Sequence, residues 1–353
     1  MKIGVLLATY NGESYLREQL DSILSQSVLV DEIVISDDGS SDNTITIINE
    51  YVNNCKRVPI KFVINQGKHG VIHNFNNAFK NSMSDLLFFC DQDDVWKKNK
   101  VAVFLEAVKK YPQCGLFFSN ATLTDSKLKP IGQVLWDIFY ADRTIHSKFQ
   151  LLNGDKIVRR LSYGGNIVTG MSSAASRNVL ENVFPLNPAV LHDEMIACYC
   201  SINGGIVAIN EETAFYRQHS QNVVGLGSMF IANDRRRNSI KGIIKNSDQN
   251  MAVINSAYYK SMLFLSFDKL NKYFFLVGRF RFFKEKYDIA VCNKLVASLK
   301  MIKLGLSGKY RINDLKPLKG FILDLAMIFF VKTKKRREYF KENNFEKKIT
   351  NNE

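Results

Sequence analysis

LLFFCDQDDVW, residues 86–96, joins two environments that do not ordinarily meet. Leu86 to Cys90 is an unbroken apolar run of strand length, suited to a strand covered on both faces. Asp91, Asp93 and Asp94 follow within four positions, and Trp96 closes the stretch. Carboxylates this close raise one another's pKa, so a positive partner is expected where the strand ends.

The same punctuation recurs upstream. IGVLLA (3–8) and EIVIS (32–36) read as buried strands that run into TYNGE and DDGSSDNT, and IKFVI (60–64) and GLFFS (115–119) read as two more strands. Helical spacing over 13–26, 42–53, 71–83 and 97–111 fills the gaps, with Tyr15, Leu16, Leu20, Ile23 and Leu24 on one face of the first. Strand–helix alternation of this kind predicts an α/β fold with a mostly parallel sheet flanked by helices. Ligands bind such sheets beyond the carboxyl ends of the strands, where these polar clusters converge. A dinucleotide fold would need GxGxxG after its first strand, and ATYNGES stands there instead. Residues 120–228 are less regular, with a hairpin expected near 121–135.

Of 353 residues, 46% are hydrophobic and 23% charged, which fits a soluble protein with a packed core. The net charge of +14 is lopsided: 27 of 48 basic but only 11 of 34 acidic side chains follow residue 228. This places a near-neutral domain at 1–228 and a basic, mostly helical region at 229–353, whose expected partner is an anionic membrane surface. Six scattered cysteines with no CxxC pair fit a reducing compartment, and KIGVLLA is too short for an export signal, so a cytoplasmic location is expected.

ATYNG (8–12), SDDGSSDNT (36–44), NQGKHGVIHNFN (65–76), CDQDDVW (90–96), HDE (192–194) and YRQHSQN (216–222) occur in an order that resembles the inverting glycosyltransferases of family 2. The resemblance covers roughly residues 1–225, and its flavour is that of rhamnosyltransferase-like enzymes of bacterial surface polysaccharide. It implies a GT-A-type nucleotide-sugar-binding fold and a hexosyltransferase-type reaction on a UDP- or dTDP-sugar. The acceptor would be a saccharide or lipid-linked oligosaccharide of O-antigen or capsule assembly.

Carried over residue by residue, the resemblance assigns nucleotide contacts to Thr9, Tyr10, Asn11, Glu13, Asp37, Asp38, Asn65, Gly67 and Asn74. His73 stands where the family often has Arg or Lys. Asp91-Gln92-Asp93 matches the DxD motif, which holds a divalent cation, Mn2+ or Mg2+, against the diphosphate. Which of Asp91, Asp93 and Asp94 touches metal and which touches ribose stays open, with Asp93 and Asp94 favoured for the metal. His219 aligns with a metal or diphosphate ligand, and Arg217 would counter diphosphate charge. Asp193 is the expected general base, with Glu194 the fallback. Each segment also has a plainer reading. Asn-Gly and Asp-Gly-Ser-Ser form turns, and acidic residues favour helix N-termini.

In the basic region, GFILDLAMIFFVKTKKRREYFK (320–341) is too short and too charged to span a bilayer. It and FLSFDKLNKYFFLVGRFRFFKEK (264–286) fit interfacial helices on the inner face of the membrane, or else a packed cap. Interleaved aromatics and cations also suit nucleic acid, but no nucleic-acid module is present, and none is expected as a partner. Two rival functions remain: an inactive nucleotide-sugar-binding scaffold, and a sugar nucleotidyltransferase, for which a Gly-rich phosphate loop is lacking.

Overall fold

Strand β1 (Ile3–Thr9) is buried at every position: strands pair with both its edges, and the helix of residues 71–80 packs on it. In the computed structural model it lies between β2 (Glu32–Asp37) and β4 (Leu86–Asp91), parallel to both, and β3 (Ile60–Ile64) extends β2 in the same direction. A short β9 (Ser173–Ser176) then inserts antiparallel between β4 and β6 (Leu116–Thr124). Strand β10 (Ile206–Arg217) runs parallel to β6 and carries β5 (Val95–Trp96) and β8 (Phe149–Leu151) antiparallel. The hairpin expected near 121–135 is β6 with β7 (Pro130–Val134). The ten-stranded sheet has the order β3-β2-β1-β4-β9-β6-β10-β5, with β7 and β8 off this path.

Residues 1–139, 145–163, 165–188, 190–220, 274–307 and 333–342 are described, with positions 257, 264, 309–310, 321–322, 324–325, 327–328 and 331 in between. The expected boundary at 228/229 lies outside them. The chain divides into one unit of residues 1–161 and 165–223 and a second formed mainly by 224–353.

In the first unit, α1 (Leu16–Leu24) turns Leu16, Leu20 and Ile23 inward, and α3 (Val71–Lys80) does so with Ile72, Phe75 and Ala78. Helix α2 (Thr44–Asn54) packs on β3, α3 on β1 and β2, and α4 (Lys100–Lys110) on β10. Residues 120–220 are more regular than their pattern implied. The small side chains of SAAS (173–176) carry little strand signal. Alternation in β10 is broken by register shifts around Glu212. Because β1, β2 and β4 are parallel and in register, Thr9 pairs with Asp37 and Ala8 with Asp91. Their polar ends therefore meet at one edge.

In the second unit the described helices are α9 (Phe274–Ala290), α10 (Lys294–Leu306) and α11 (Thr333–Glu342). Three charges differ from the expected surface placement. Asp324, which interrupts the apolar run, is buried and pairs with buried Lys286 at 2.7 Å and with the Tyr310 hydroxyl. Arg336 of the basic cluster is also internal: Nε donates to the Ala290 carbonyl (2.9 Å) and Nη1 to the Val331 carbonyl (2.7 Å). Among the described residues, no helix is long and apolar enough to cross a membrane.

Candidate active site

The turn after β1 and the turn after β2 brace each other through side chains. Asp37, fully buried, accepts from the Thr9 hydroxyl (2.7 Å), the Gly39 and Ser40 amides (3.0 and 2.7 Å) and the Ser40 hydroxyl (2.6 Å). Asn11 adopts a left-handed φ of 46°, and its Oδ1 accepts from the Ser41 amide at 2.9 Å. Glu13 accepts from Asn43 N and Nδ2, at the start of α2. Asp37 and Glu13 thus brace the turns, Asp37 from within and Glu13 at the surface. Asp38 accepts from Asn65 Nδ2 (2.7 Å) and the Gly70 amide (2.6 Å), and Asn65 Oδ1 accepts from the Gly67 amide (3.1 Å). Asn74 donates to the Thr9 carbonyl at 3.0 Å while its buried Oδ1 has no partner. Tyr10, 56% exposed beside these turns, presents an open aromatic face.

Beyond β4 the pattern changes. Burial and then the charge of Asp93 push Asp91 up to about 7. Asp94 is turned inward: its Oδ1 accepts from the Arg217 amide at 3.0 Å, and its Oδ2, also buried, has no partner. Burial, then Asp93 and Asp91, hold its pKa well above the carboxylate range. Asp93 is more open, with Oδ2 2.8 Å from His219 Nε2, and His219 stacks on Tyr15 at 4.7 Å. Among the described residues no three or more His, Cys, Asp or Glu side chains gather tightly enough to hold a metal alone. The Asp93–His219 pair nevertheless fits a cation. Two ligands about 2.1 Å from one ion at a right angle lie about 3 Å apart. Asp94 is turned away toward the Arg217 amide, while Asp93 and His219 face each other.

Arg217 differs from its expected role against diphosphate. It ends β10 beneath the carboxylate loop, so its buried guanidinium donates to the carbonyls of Asp93 (2.7 Å) and Ser126 (2.8 Å) and pairs with Glu18. It also lies 4.7 Å over the Tyr15 ring. Arg217 therefore fixes the backbone at Asp93 from below.

Helix α8 (His192–Asn203) begins at the third carboxylate pair. Asp193 is buried, with Oδ2 accepting from the Gly170 amide (3.0 Å) and Oδ1 from the Glu194 amide (2.7 Å). Burial, then Glu194, push Asp193 up to about 7, and Asp91 at the end of β4 adds to the push. Neighbouring His192 is packed against Phe75 and Phe89, and burial pulls it down to about 3, so it stays neutral. Gly170 sits so close that a Cβ there would come within 2.2 Å of His192 Nε2.

Two residues were missed in the sequence. Gln92, the variable letter of Asp-Gln-Asp, accepts from the Tyr10 amide (2.8 Å) and donates to the Tyr10 carbonyl (2.9 Å), tying the two loops together. Lys100 is fully buried and donates to the Met171 carbonyl at 2.6 Å, in the single turn Gly170–Ser172 that also holds Asp193. Burial pulls Lys100 down to about 8, while Asp94 and Asp91 oppose that shift. Its signal was a lysine on the buried stripe of α4, in phase with Phe104 and Ala107.

Residues 4–184 match the sequence profile of Glycosyl transferase family 2. An uncharacterized glycosyltransferase of Nostoc sp. is 31% identical over 229 residues, 63% of this chain and 66% of that protein. The chain thus spans just under two thirds of that relative's length. A dTDP-rhamnosyl transferase, RfbG, of Shigella flexneri is 26% identical over 258 residues, 68% of this chain and 79% of that one. Among solved structures, S. aureus TarS 1–349 in complex with UDP-GlcNAc superposes with a TM-score of 0.51 at 14% identity, covering 97% and 92% of the two chains. That likeness concerns the fold, which is of the GT-A type.

Proposed function

The chain belongs to glycosyl transferase family 2, and from that premise we propose a metal-dependent, inverting transfer of a sugar from a nucleotide diphosphate to an acceptor hydroxyl. The observations that carry this reading are the Asp93–His219 pair in the loop after β4 and buried Asp193 at the start of α8, whose carboxyl Asp91 of β4 helps to raise. Asp193 would take the proton of the acceptor hydroxyl as its oxygen attacks the anomeric carbon, and the nucleoside diphosphate would leave from the opposite face. A pKa near 7 lets Asp193 be ionised when it accepts the proton and strong enough as a base to do so. Asp93 and His219 would hold Mn2+ or Mg2+, whose charge offsets that of the diphosphate and of Asp91 and Asp94. Tyr10 would stack on the base, within the frame built by Asp37, Asp38 and Asn65. Arg217 and Gln92 would hold the two loops at their working separation.

The name of the Shigella relative supports a dTDP-sugar, and a UDP-sugar is the other donor class expected. The acceptor would be a saccharide, and the basic region favours a lipid-linked oligosaccharide. The enzyme would then be peripherally attached at the inner face of the membrane. Family membership disfavours the nucleotidyltransferase alternative. Thermal melts of the full chain against a panel of nucleotide sugars, with and without Mn2+ or Mg2+, test the reading. A UDP- or dTDP-sugar should raise the melting temperature only with the cation, and slow release of nucleoside diphosphate should accompany it. Stabilisation by no nucleotide in either cation would refute the reading, and binding without release would favour the scaffold.

A further inference from the structure

Helix α10 has two apolar faces. Ala297, Met301 and Leu304 are buried on one side. At about 100° per residue, Leu295, Leu299, Ile302 and Leu306 fall within about 60° of each other on the opposite side. These four are 72%, 61%, 43% and 85% exposed. One exposed leucine is ordinary, but an unbroken aliphatic stripe along a solvent-facing helix marks an interaction surface. The helix contains no acidic residue, and exposed lysines border the stripe: Lys294 on one flank, Lys300 and Lys303 on the other.

We propose that the outward stripe of α10 docks on an anionic lipid surface, with the four aliphatic side chains in the acyl boundary and the lysines at the headgroups. The proposal deepens the membrane-side attachment proposed above and rests on that reading. Charge complementarity favours lipid over a second copy. Two such faces laid together would bring rows of lysines against each other, whereas acidic headgroups neutralise them. Long lysine stems also reach the headgroup level while their methylenes follow the apolar stripe. The segments 264–286 and 320–341 singled out in the sequence differ from α10, because Lys286, Asp324 and Arg336 within them are internal.

The test uses the full chain with vesicles of phosphatidylcholine alone or mixed equally with phosphatidylglycerol. Leu299→Glu with Ile302→Glu, and Leu299→Ser with Ile302→Ser, alter only solvent-facing positions. The native chain should sediment with the anionic vesicles. The glutamate pair should bind at least ~10-fold more weakly and the serine pair should fall between. Melting temperature and metal-dependent release of nucleoside diphosphate should stay unchanged in both. If both variants bind anionic vesicles like the native chain, this face is not the docking element, although membrane attachment stands. If the native chain ignores both vesicle types, attachment and docking face fail together. A native dimer that either substitution dissolves, without vesicle binding, would instead make the stripe an interface between copies.

Discussion

Asp37 and Asp94 are both buried carboxylates at one sheet edge, yet their surroundings are opposite. Asp37 accepts from Thr9, Gly39 and Ser40, so every lone pair that faces the protein has a donor. Asp94 has one donor, the Arg217 amide, and an oxygen with none, beside Asp91 and Asp93. The contrast holds for the regions around them. The turns after β1 and β2 are closed hydrogen-bond circuits, whereas the loop after β4 and the start of α8 hold carboxyls that burial and neighbouring carboxylates push up in pKa. Buried polar groups ordinarily find partners, so closed circuits shape a site while such carboxyls mark where a ligand completes it.

The sharpest way to break that division is Asp193→Asn. It should lower turnover by ~10² or more while donor affinity changes little. Because a base must be ionised, native turnover should rise with pH through about 7 and level off above it. Loss of that limb in the variant would support the assignment, and near-native turnover would transfer the role to Glu194. Next in size, Asp93→Asn should weaken cation-dependent binding of nucleoside diphosphate at least ~10-fold in calorimetry. Equal affinity with and without Mn2+ in the native chain would remove Asp93 and His219 from the metal.

Stability should move in opposite directions on the two sides. Asp37→Ala strands the donors of its circuit and should cost about 2 kcal/mol, read as a lower melting temperature. Asp94→Asn removes a carboxyl whose ionisation burial, Asp93 and Asp91 oppose, and should leave the melting temperature level or raised in cation-free buffer. The sign of the pH dependence agrees. Asp91 and Asp193, folded pKa about 7, hold protons that the unfolded chain has already lost above ~4. Cation-free stability should therefore fall between about pH 4 and 7, and Mn2+ should restore more of it at high pH. Smallest of all, Tyr10→Ala should raise the KM for the donor a few-fold and leave kcat unchanged, as expected for one stacking contact.

Apolar runs such as Leu86–Cys90 and the helical phase of Leu16, Leu20 and Ile23 exposed the strand–helix alternation at once, since fully covered strands need unbroken hydrophobicity. The carboxylates of the site were equally visible, because three neighbouring aspartates after a buried strand have few structural excuses. Direction was hidden. Arg217 and Asp94 have functional chemistry but face inward, and only the placement of β10 beneath the β4 loop decides that. Strands β9 and β10 were obscured because their neighbours lie far off in the chain, and small side chains or a bulge suffice once those neighbours are in place.

Gln92 ties Tyr10 by both its backbone groups, and a Cβ on Gly12 would fall within 2.2 Å of the Gln92 side chain. Positions 10–12 and 92 therefore form one mechanical part, although 80 residues separate them. A chimera that imports a relative's Asp-x-Asp loop with a larger residue at 92 would collide with the first turn, and one that imports the turn alone would leave the glutamine without its mates. Donor preference should consequently pass between relatives only when both pieces travel together.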